Sequence, residues 1–309
     1  MSRATTPGSA AAEGADGVAA ALDCAGLTKD YGDGHGLFDF DLRIEPGEVF
    51  GLIGPNGAGK STMIKLVMDL VRPDAGSARV FGLDTREQGI AVKRRVGYVP
   101  GELPQYPSVS ARYVVELLAG LRGDVDLDYV DELADILSLD LDRRFQDLSH
   151  GNRQKVAIVQ AFMHRPDLYV LDEPTLGLDP LIQREFRSLL VEAHDRGATV
   201  LLSSHVLSEV ELICTRIGLL KQGRLLKAGT LDELRELKRH RVEIVFAEPV
   251  DVGELRGLPN VRDIEVNGAH VSLEVQGSIE ALVAAIADDR IVELDSRELS
   301  LEEVFFSEF

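Results

Sequence analysis

Only two cysteines occur in 309 residues, Cys24 and Cys214, 190 positions apart and without metal-ligand spacing around either. Their scarcity excludes a disulfide scaffold and fits a reducing compartment. Both read as small buried apolar side chains. Long apolar runs are missing too: no stretch approaches the roughly 18 residues that would suggest a membrane span. Basic residues are in deficit, 33 against 52 acidic, for a net charge of −19. Phosphate backbones repel so acidic a chain, so general nucleic-acid binding is not expected. No repeat of solenoid period is found. The rest, 45% hydrophobic and 28% charged, is ordinary globular composition, long enough for one large domain or two of common size.

The chain is uneven along its length. Residues 1–21 are mostly Ala, Gly, Ser and Thr, with too little apolar bulk to offset chain entropy, which predicts a disordered tail. Arg3 is its only basic residue and no apolar segment follows it, so it does not read as a secretory signal. Residues 232–309 hold 19 acidic and 8 basic residues, net −11, whereas residues 1–231 hold 33 and 25, net −8. This shift predicts a boundary near Gly229–Leu237, dividing the chain into 22–230 and an acidic 231–309.

Within 22–230, strand and helix signals alternate. Strands are expected at Glu48–Gly54, Val96–Val99, Leu168–Leu171 and Ala198–Ser203, and helices at Ser61–Leu70, Val109–Leu121, Val130–Leu137, Arg153–Met163 and Pro180–His194. The near-continuous apolar run of Ala198–Ser203 is typical of a parallel sheet covered on both faces. The alternation predicts an α/β fold.

Gly54-Pro55-Asn56-Gly57-Ala58-Gly59-Lys60-Ser61-Thr62 follows a strand, opens a helix and satisfies G-x-x-x-x-G-K-[ST]. Its glycines let backbone N–H groups converge on phosphate oxygens, and the helix N-terminus adds unpaired donors and a favourable dipole. Lys60 supplies a point charge for β- and γ-phosphates, and the Ser61 hydroxyl can complete a Mg²⁺ shell. This matches the P-loop NTPase pattern, which predicts a bound nucleoside triphosphate and Mg²⁺. A second glycine cluster, Gly32-Asp33-Gly34-His35-Gly36, precedes the alternating segment Leu37–Ile44 rather than a helix. It reads as a hairpin loop, not a cofactor site.

Two acids, Asp172 and Glu173, end the apolar run Leu168–Leu171. That position is the carboxyl edge of a parallel sheet, where ligands bind. Adjacent strand residues point apart, so the two acids should have separate roles. Asp172 is placed to hold Mg²⁺ and Glu173 to polarise water for attack on the γ-phosphate. His205 follows a similar strand, ahead of a helix at Val206–Ile213, and should reach the same edge.

Ser149 and Gly151, in Leu148-Ser149-His150-Gly151-Asn152, begin another helix and make a potential anion site. The ordered set of phosphate loop, LSHGN, Leu171-Asp172-Glu173-Pro174, Gly177-Leu178-Asp179 and His205 resembles the ATPase subunit of an ABC transporter over residues 22–230. The resemblance implies an ABC-type nucleotide-binding domain and two cassettes packed head to tail. Each ATP would lie between the phosphate loop of one copy and Ser149, Gly151 and Asn152 of the other. It further implies that Tyr31, read as a loop residue, stacks on adenine and that Asp179 couples the two sites. An integral membrane permease is the implied partner, which would place the ATPase peripherally on the cytoplasmic face of the membrane.

Two departures stand out. The family's usual Leu-Ser-Gly-Gly-Gln has His150 and Asn152 at its third and fifth positions. The glutamine usual after the Tyr98-Val99-Pro100 segment is replaced by Gly101-Glu102, with Gln105 further on. Glu102 is also an oxygen donor, so it or Gln105 is a candidate substitute at the Mg²⁺ site, and simple loop variation is an equal reading. These variants resemble the branch that pairs with separate export permeases for drugs, antibiotics or cell-surface polymers. In the family, the Glu102–Arg122 neighbourhood receives the permease's coupling helix, while Val114, Leu117 and Leu118 read equally as core.

Residues 231–309 suggest a small α+β unit. Val242–Phe246 and Ile291–Leu294 are strand-like, and Val261–Val266 and His270–Val275 flank an Asn267-Gly268 hairpin. Ser278–Ala287 is helical with Ile279, Leu282, Val283 and Ile286 facing inward, and Ser300-Leu301-Glu302-Glu303 forms a capping box. No catalytic constellation appears there; dimer stabilisation and regulation both remain open. An uptake ATPase shares this enzyme chemistry, and a soluble ABC ATPase acting on DNA or ribosomes is a further alternative. The latter typically carries a coiled-coil insertion or two cassettes. Here one cassette is present, and 86 residues separate Thr62 from Ser149.

Overall fold

The computed structural model describes residues 19–106, 108–235, 239–287 and 289–299. Strands β1 (Leu22–Gly32) and β2 (His35–Ile44) form the hairpin expected from the Gly32–Gly36 cluster. Tyr31 therefore lies on a strand end, not in a loop, because the antiparallel ladder runs up to the Gly32–His35 pair. Strand β3 (Val49–Ile53) belongs to a different sheet. Strands β4 (Ala75–Val80) and β5 (Leu83–Asp84) complete an antiparallel sheet of order β2-β1-β4-β5.

The central sheet adds β6 (Val96–Val99), β7 (Leu168–Asp172), β8 (Thr199–Ser204), β9 (Arg216–Lys221) and β10 (Arg224–Thr230) to β3, in the order β10-β9-β3-β8-β7-β6. Its members pair in parallel except for the β9–β10 edge. Every residue of β3, β7 and β8 is buried, since both faces are covered. Phe50, Leu52 and Val170 pack with the antiparallel sheet and with Met63, Ile64 and Val67 of helix α1 (Lys60–Val67). Ile53, Tyr169 and Leu171 face the opposite core.

Helix α2 (Gly89–Arg95) precedes β6. The opposite core is built from α3 (Ala111–Arg122), α4 (Leu127–Ile136), α5 (His150–Phe162) and α6 (Pro180–Asp195). Ser110 and Asp126 cap α3 and α4 by accepting backbone N–H bonds. On α3, Val114 is buried and Leu118 packs against the core, but Leu117 is half exposed. Leu117 shares the outward stripe of Tyr113 and Leu121 at four-residue spacing, so the core reading fails for it. The short α7 (Leu207–Glu211) follows β8. Both cysteines are buried in these cores as expected, and burial raises both thiol pKa values.

After α8 (Leu231–Arg235), a third sheet carries its own core. It comprises β11 (Arg239–Phe246), β12 (Val261–Asn267), β13 (His270–Gln276) and β14 (Ile291–Glu298), ordered β12-β13-β11-β14. Gly268 turns the β12–β13 hairpin with φ +65°, which suits glycine. Helices α9 (Gly253–Arg256) and α10 (Glu280–Ala285) supply Leu255 and Leu282 to the core. Val283 is 47% exposed, contrary to the inward reading; α10 is a short turn that buries only Leu282 within it. The Ser300–Glu303 capping box lies outside the described residues, as does most of the 1–21 tail. Ala20 and Ala21 are described and buried, with Ala21 N–H bonded to Ile44.

Candidate active site

The parallel register explains why distant segments meet. Ile53 pairs with Ser204, and Asp172 with Ser203, so β3, β7 and β8 end together. Their next residues, Gly54, Glu173 and His205, emerge at one sheet edge. Gly57 and Gly59 take φ of +82° and +108°, conformations that residues with a Cβ rarely adopt. Gly54 is held by space instead: a Cβ there would lie 2.2 Å from the Leu220 carbonyl oxygen.

Lys60, only 6% exposed, sends its ammonium to the Gly54 carbonyl at 2.5 Å and to the Glu173 carboxylate at 3.4 Å. It therefore sits over its own loop, beside the catalytic candidate. A pocket of about 330 Å³ is lined by the whole of Pro55–Thr62 together with Tyr31, His35, Gly36 and Glu173. Half-exposed Tyr31 forms its outer wall. The hairpin thus contributes His35 and Gly36 to the pocket, although sequence reasoning assigned it no ligand role. The link is Gly223 in the β9–β10 turn: its N–H donates to Ala58, and its carbonyl accepts from Phe38.

Asp172 is buried and accepts a 2.6 Å hydrogen bond from the Ser203 hydroxyl. The same Ser203 oxygen accepts from Glu173 N–H at 3.2 Å. Glu173 adopts φ +48°, an uncommon backbone for a non-glycine residue. Its carboxylate meets His205 Nδ1 at 2.8 Å, on the opposite oxygen from Lys60. The two acids therefore have distinct partners, as their adjacency on a strand predicted. Burial, then Asp172 and Glu102, push the nearby Tyr98 hydroxyl up to about 12. Gly101 lies against Asp172, where a Cβ would approach Oδ2 to 2.7 Å. Glu102 extends into solvent, 91% exposed, with Lys65 at 3.8 Å, and Gln105 is also exposed.

Ser149 caps α5, accepting from Asn152 N–H at 3.3 Å. Asp179 caps α6, accepting from Leu181 and Ile182 N–H. Both are exposed. Gly151 packs on the Gly177 carbonyl, and His150 packs on Gly177 itself. None of Ser149, Gly151, Asn152 or Asp179 lines the pocket around the phosphate loop.

The family model described as "ABC transporter" matches residues 37–176. The bacitracin transport ATP-binding protein BcrA of Enterococcus faecalis is 35% identical over 72% of this chain and 73% of its own. The ATP-binding protein YtrB of Bacillus subtilis is 30% identical over 92% and 96%. The chain belongs to the ABC transporter ATP-binding proteins. As an ABC ATPase it binds and hydrolyses ATP. Residues 229–308 match the C-terminal domain of DrrA1-3-like ATP-binding proteins, which places it in the drug-export branch together with relatives such as the linearmycin resistance protein LnrL of B. subtilis, 28% identical over 93% of this chain. Among solved structures, an ATP-binding subunit of an ABC transporter superposes with a TM-score of 0.62 at 34% identity, covering 69% of this chain and 91% of that one. The cassette MJ0796, dimeric with ADP and Pi, gives 0.62 at 26% identity, covering 68% and 98%. The α/β fold expected of this ABC ATPase is thus the one observed.

Besides His35 and Gly36, three further contributors to the site escaped sequence reasoning. Ser203 was read only as strand, yet the β7–β8 register sets it beside Asp172. Gln154 is a buried polar residue on α5; set between Arg153 and Lys155 in a polar stretch, it gave no sequence signal of burial. Gly223 left no local signal, because its role depends on contacts with segments far away in sequence.

Proposed function

We propose that this ABC ATPase powers export of a drug, antibiotic or similar substrate through a separate membrane permease, acting as a head-to-tail pair of copies. The observation that carries the reading is the separation of half-sites. The pocket of Tyr31, Pro55–Thr62 and Glu173 contains no residue of the Ser149–Asn152 motif, while Ser149 lies exposed elsewhere. A second copy supplies the missing half when each ATP sits between Gly54–Thr62 of one chain and Ser149, Gly151 and Asn152 of the other. Dimeric cassettes among the structural neighbours are consistent with this pairing. Tyr31 stacks on adenine, and Asp179 links the two sites across the seam. The chain divides into the catalytic 22–230 and the accessory 231–309, in line with the two family matches.

Among the described residues no cluster of three or more His, Cys, Asp or Glu could hold a metal. The Ser61 hydroxyl and the Asp172 carboxylate are hard oxygen donors that suit Mg²⁺, which is usually bound through one or two protein oxygens plus substrate phosphates. Mg²⁺, when bound, neutralises charge on the triphosphate. Glu102, next to the Gly101 that lies against Asp172, or Gln105 takes the place of the family's usual glutamine. Lys60 gives its charge to the phosphates. Glu173 accepts the proton of the attacking water, and His205 orients Glu173 through Oε2 and contacts the γ-phosphate. ATP favours the closed pair and hydrolysis releases it, so its differential affinity for the two states drives the permease.

Among the described residues no helix is long and apolar enough to cross a membrane. The proposed location, peripheral at the cytoplasmic face and against the permease, is supported by the relatives, which are transporter ATP-binding proteins. The test is a pair of variants with nucleotide-dependent gel filtration. Lys60→Ala should abolish nucleotide binding or turnover, and Glu173→Gln should retain ATP and elute as a dimer. Wild-type hydrolysis in either variant contradicts the assignment. Co-purification with a six-span permease lacking a solute-binding protein supports export over uptake.

A further inference from the structure

The geometry points to Gln154 as a positioning residue that ties the Ser149-bearing helix α5 to the Glu173 of the same chain. The inference rests on the proposed roles of Glu173 and Ser149. Gln154 is 2% exposed, one turn into α5. Its amide donates to the Pro174 carbonyl at 3.0 Å and to the Glu173 carbonyl at a longer 3.4 Å. A side-chain amide has two N–H groups, and two consecutive carbonyls, those of Glu173 and Pro174, lie within reach of this one.

That peptide needs holding. Glu173 sits at φ +48°, a conformation that persists only where surrounding contacts over-determine it. From the β8 side, Ser203 takes the Glu173 N–H through both its carbonyl and its hydroxyl, each at 3.2 Å. Leu176 N–H closes a turn onto the Glu173 carbonyl at 3.2 Å. Gln154 is the contribution from α5. The same helix touches the segment again at Gly151, whose missing Cβ leaves room for the Gly177 carbonyl. Helix α5 thus grips the Glu173–Asp179 segment near its start and its middle, while the helix N-terminus is the part that meets the partner's nucleotide. A shift of α5 on closure moves the carbonyls that set the direction of Glu173. Each site therefore senses, through Gln154, whether its chain has engaged the nucleotide of the other.

The test compares Gln154→Leu and the isosteric Gln154→Glu with wild type in the full-length protein, reading kcat, ATP dissociation constant, melting temperature and ATP-dependent dimerisation. Leu cannot donate, and an ionised Glu repels the carbonyls. Misplacing a reacting group by about 1 Å can cost about 10²-fold in rate. The expected result is a fall in kcat of about ten- to a hundred-fold. ATP affinity should stay within about two-fold, and the dimer should still form. In the Glu173→Gln background, Gln154→Leu should cause no further loss of residual turnover, because the group it positions is already gone. Wild-type kcat in a folded Gln154→Leu or Gln154→Glu protein overturns the inference while leaving Glu173 in place. Loss of ATP binding or dimerisation in step with kcat also overturns it, since Gln154 would then act through the fold. Full turnover in Glu173→Gln alone overturns the underlying assignment instead.

Discussion

Ser203→Ala isolates the joint between the two acids. The Ser203 hydroxyl is fully buried, donates to Asp172 at 2.6 Å and accepts from Glu173 N–H at 3.2 Å. Alanine fits the space, so no steric term enters. What is lost is one charge-assisted hydrogen bond, worth about 1.5–3 kcal/mol. The Glu173 N–H keeps the Ser203 backbone carbonyl, so that end adds little. A loss of about 2 kcal/mol corresponds to a drop in melting temperature of about 4–8 °C for a domain of this size. Calorimetry without nucleotide reads this term directly. A double-mutant cycle with Asp172→Asn separates the pair from its surroundings and should give a coupling of about 1–2 kcal/mol, because residues in one hydrogen-bonded network are not additive. Turnover should fall as well, since Asp172 loses the contact that fixes its carboxylate. An unchanged melting point, or a coupling near zero, refutes the claim that this hydroxyl anchors Asp172.

Gly151→Ala should lower turnover and ATP-driven dimerisation despite alanine's helix propensity, favourable by about 1 kcal/mol: the new Cβ would lie 2.5 Å from the Gly177 carbonyl oxygen. A variant that gains stability and keeps full activity defeats this reasoning. Gly51→Ala should lower stability by about 1–3 kcal/mol in a thermal melt, because its Cβ would meet Val210 Cγ1 at 2.2 Å in a fully buried strand. His205→Ala should reduce kcat with little change in ATP affinity, as measured by single-turnover hydrolysis and fluorescent-nucleotide titration. His164 has its pKa lowered from 6.5 to about 4, chiefly by burial and then by the Arg122 charge. Its unfolded form takes up a proton that the folded form refuses, so stability falls as pH drops from about 6.5 towards 4. His164→Gln should flatten that part of a melting-temperature profile, and parallel profiles for the two proteins contradict it.

Local chemistry made much of the site legible in sequence. The phosphate loop is contiguous, and its spacing alone implies convergent N–H groups at a helix start. Asp172 and Glu173 directly follow an apolar run, so their place at a sheet edge needed only the strand period. Strands β1 and β10 carried weaker signals, because their burial is partial and irregular. Leu117 and Val283 were misplaced for a related reason: periodicity marks an apolar face but not how far the covering layer extends.

The sequence by itself determined which residues are candidates to bind phosphate, hold a cation and activate water, since each candidacy is specified by residue type and short spacing. Tertiary structure alone decided their mutual arrangement. The β7–β8 register gave Asp172 its serine, the parallel order of β3, β8 and β7 brought Lys60, Glu173 and His205 within bonding distance, and the packing of α5 put Gln154 under Glu173. Register and helix packing are properties of contacts between segments as far apart in sequence as Phe50 and Arg216, and no local pattern encodes them.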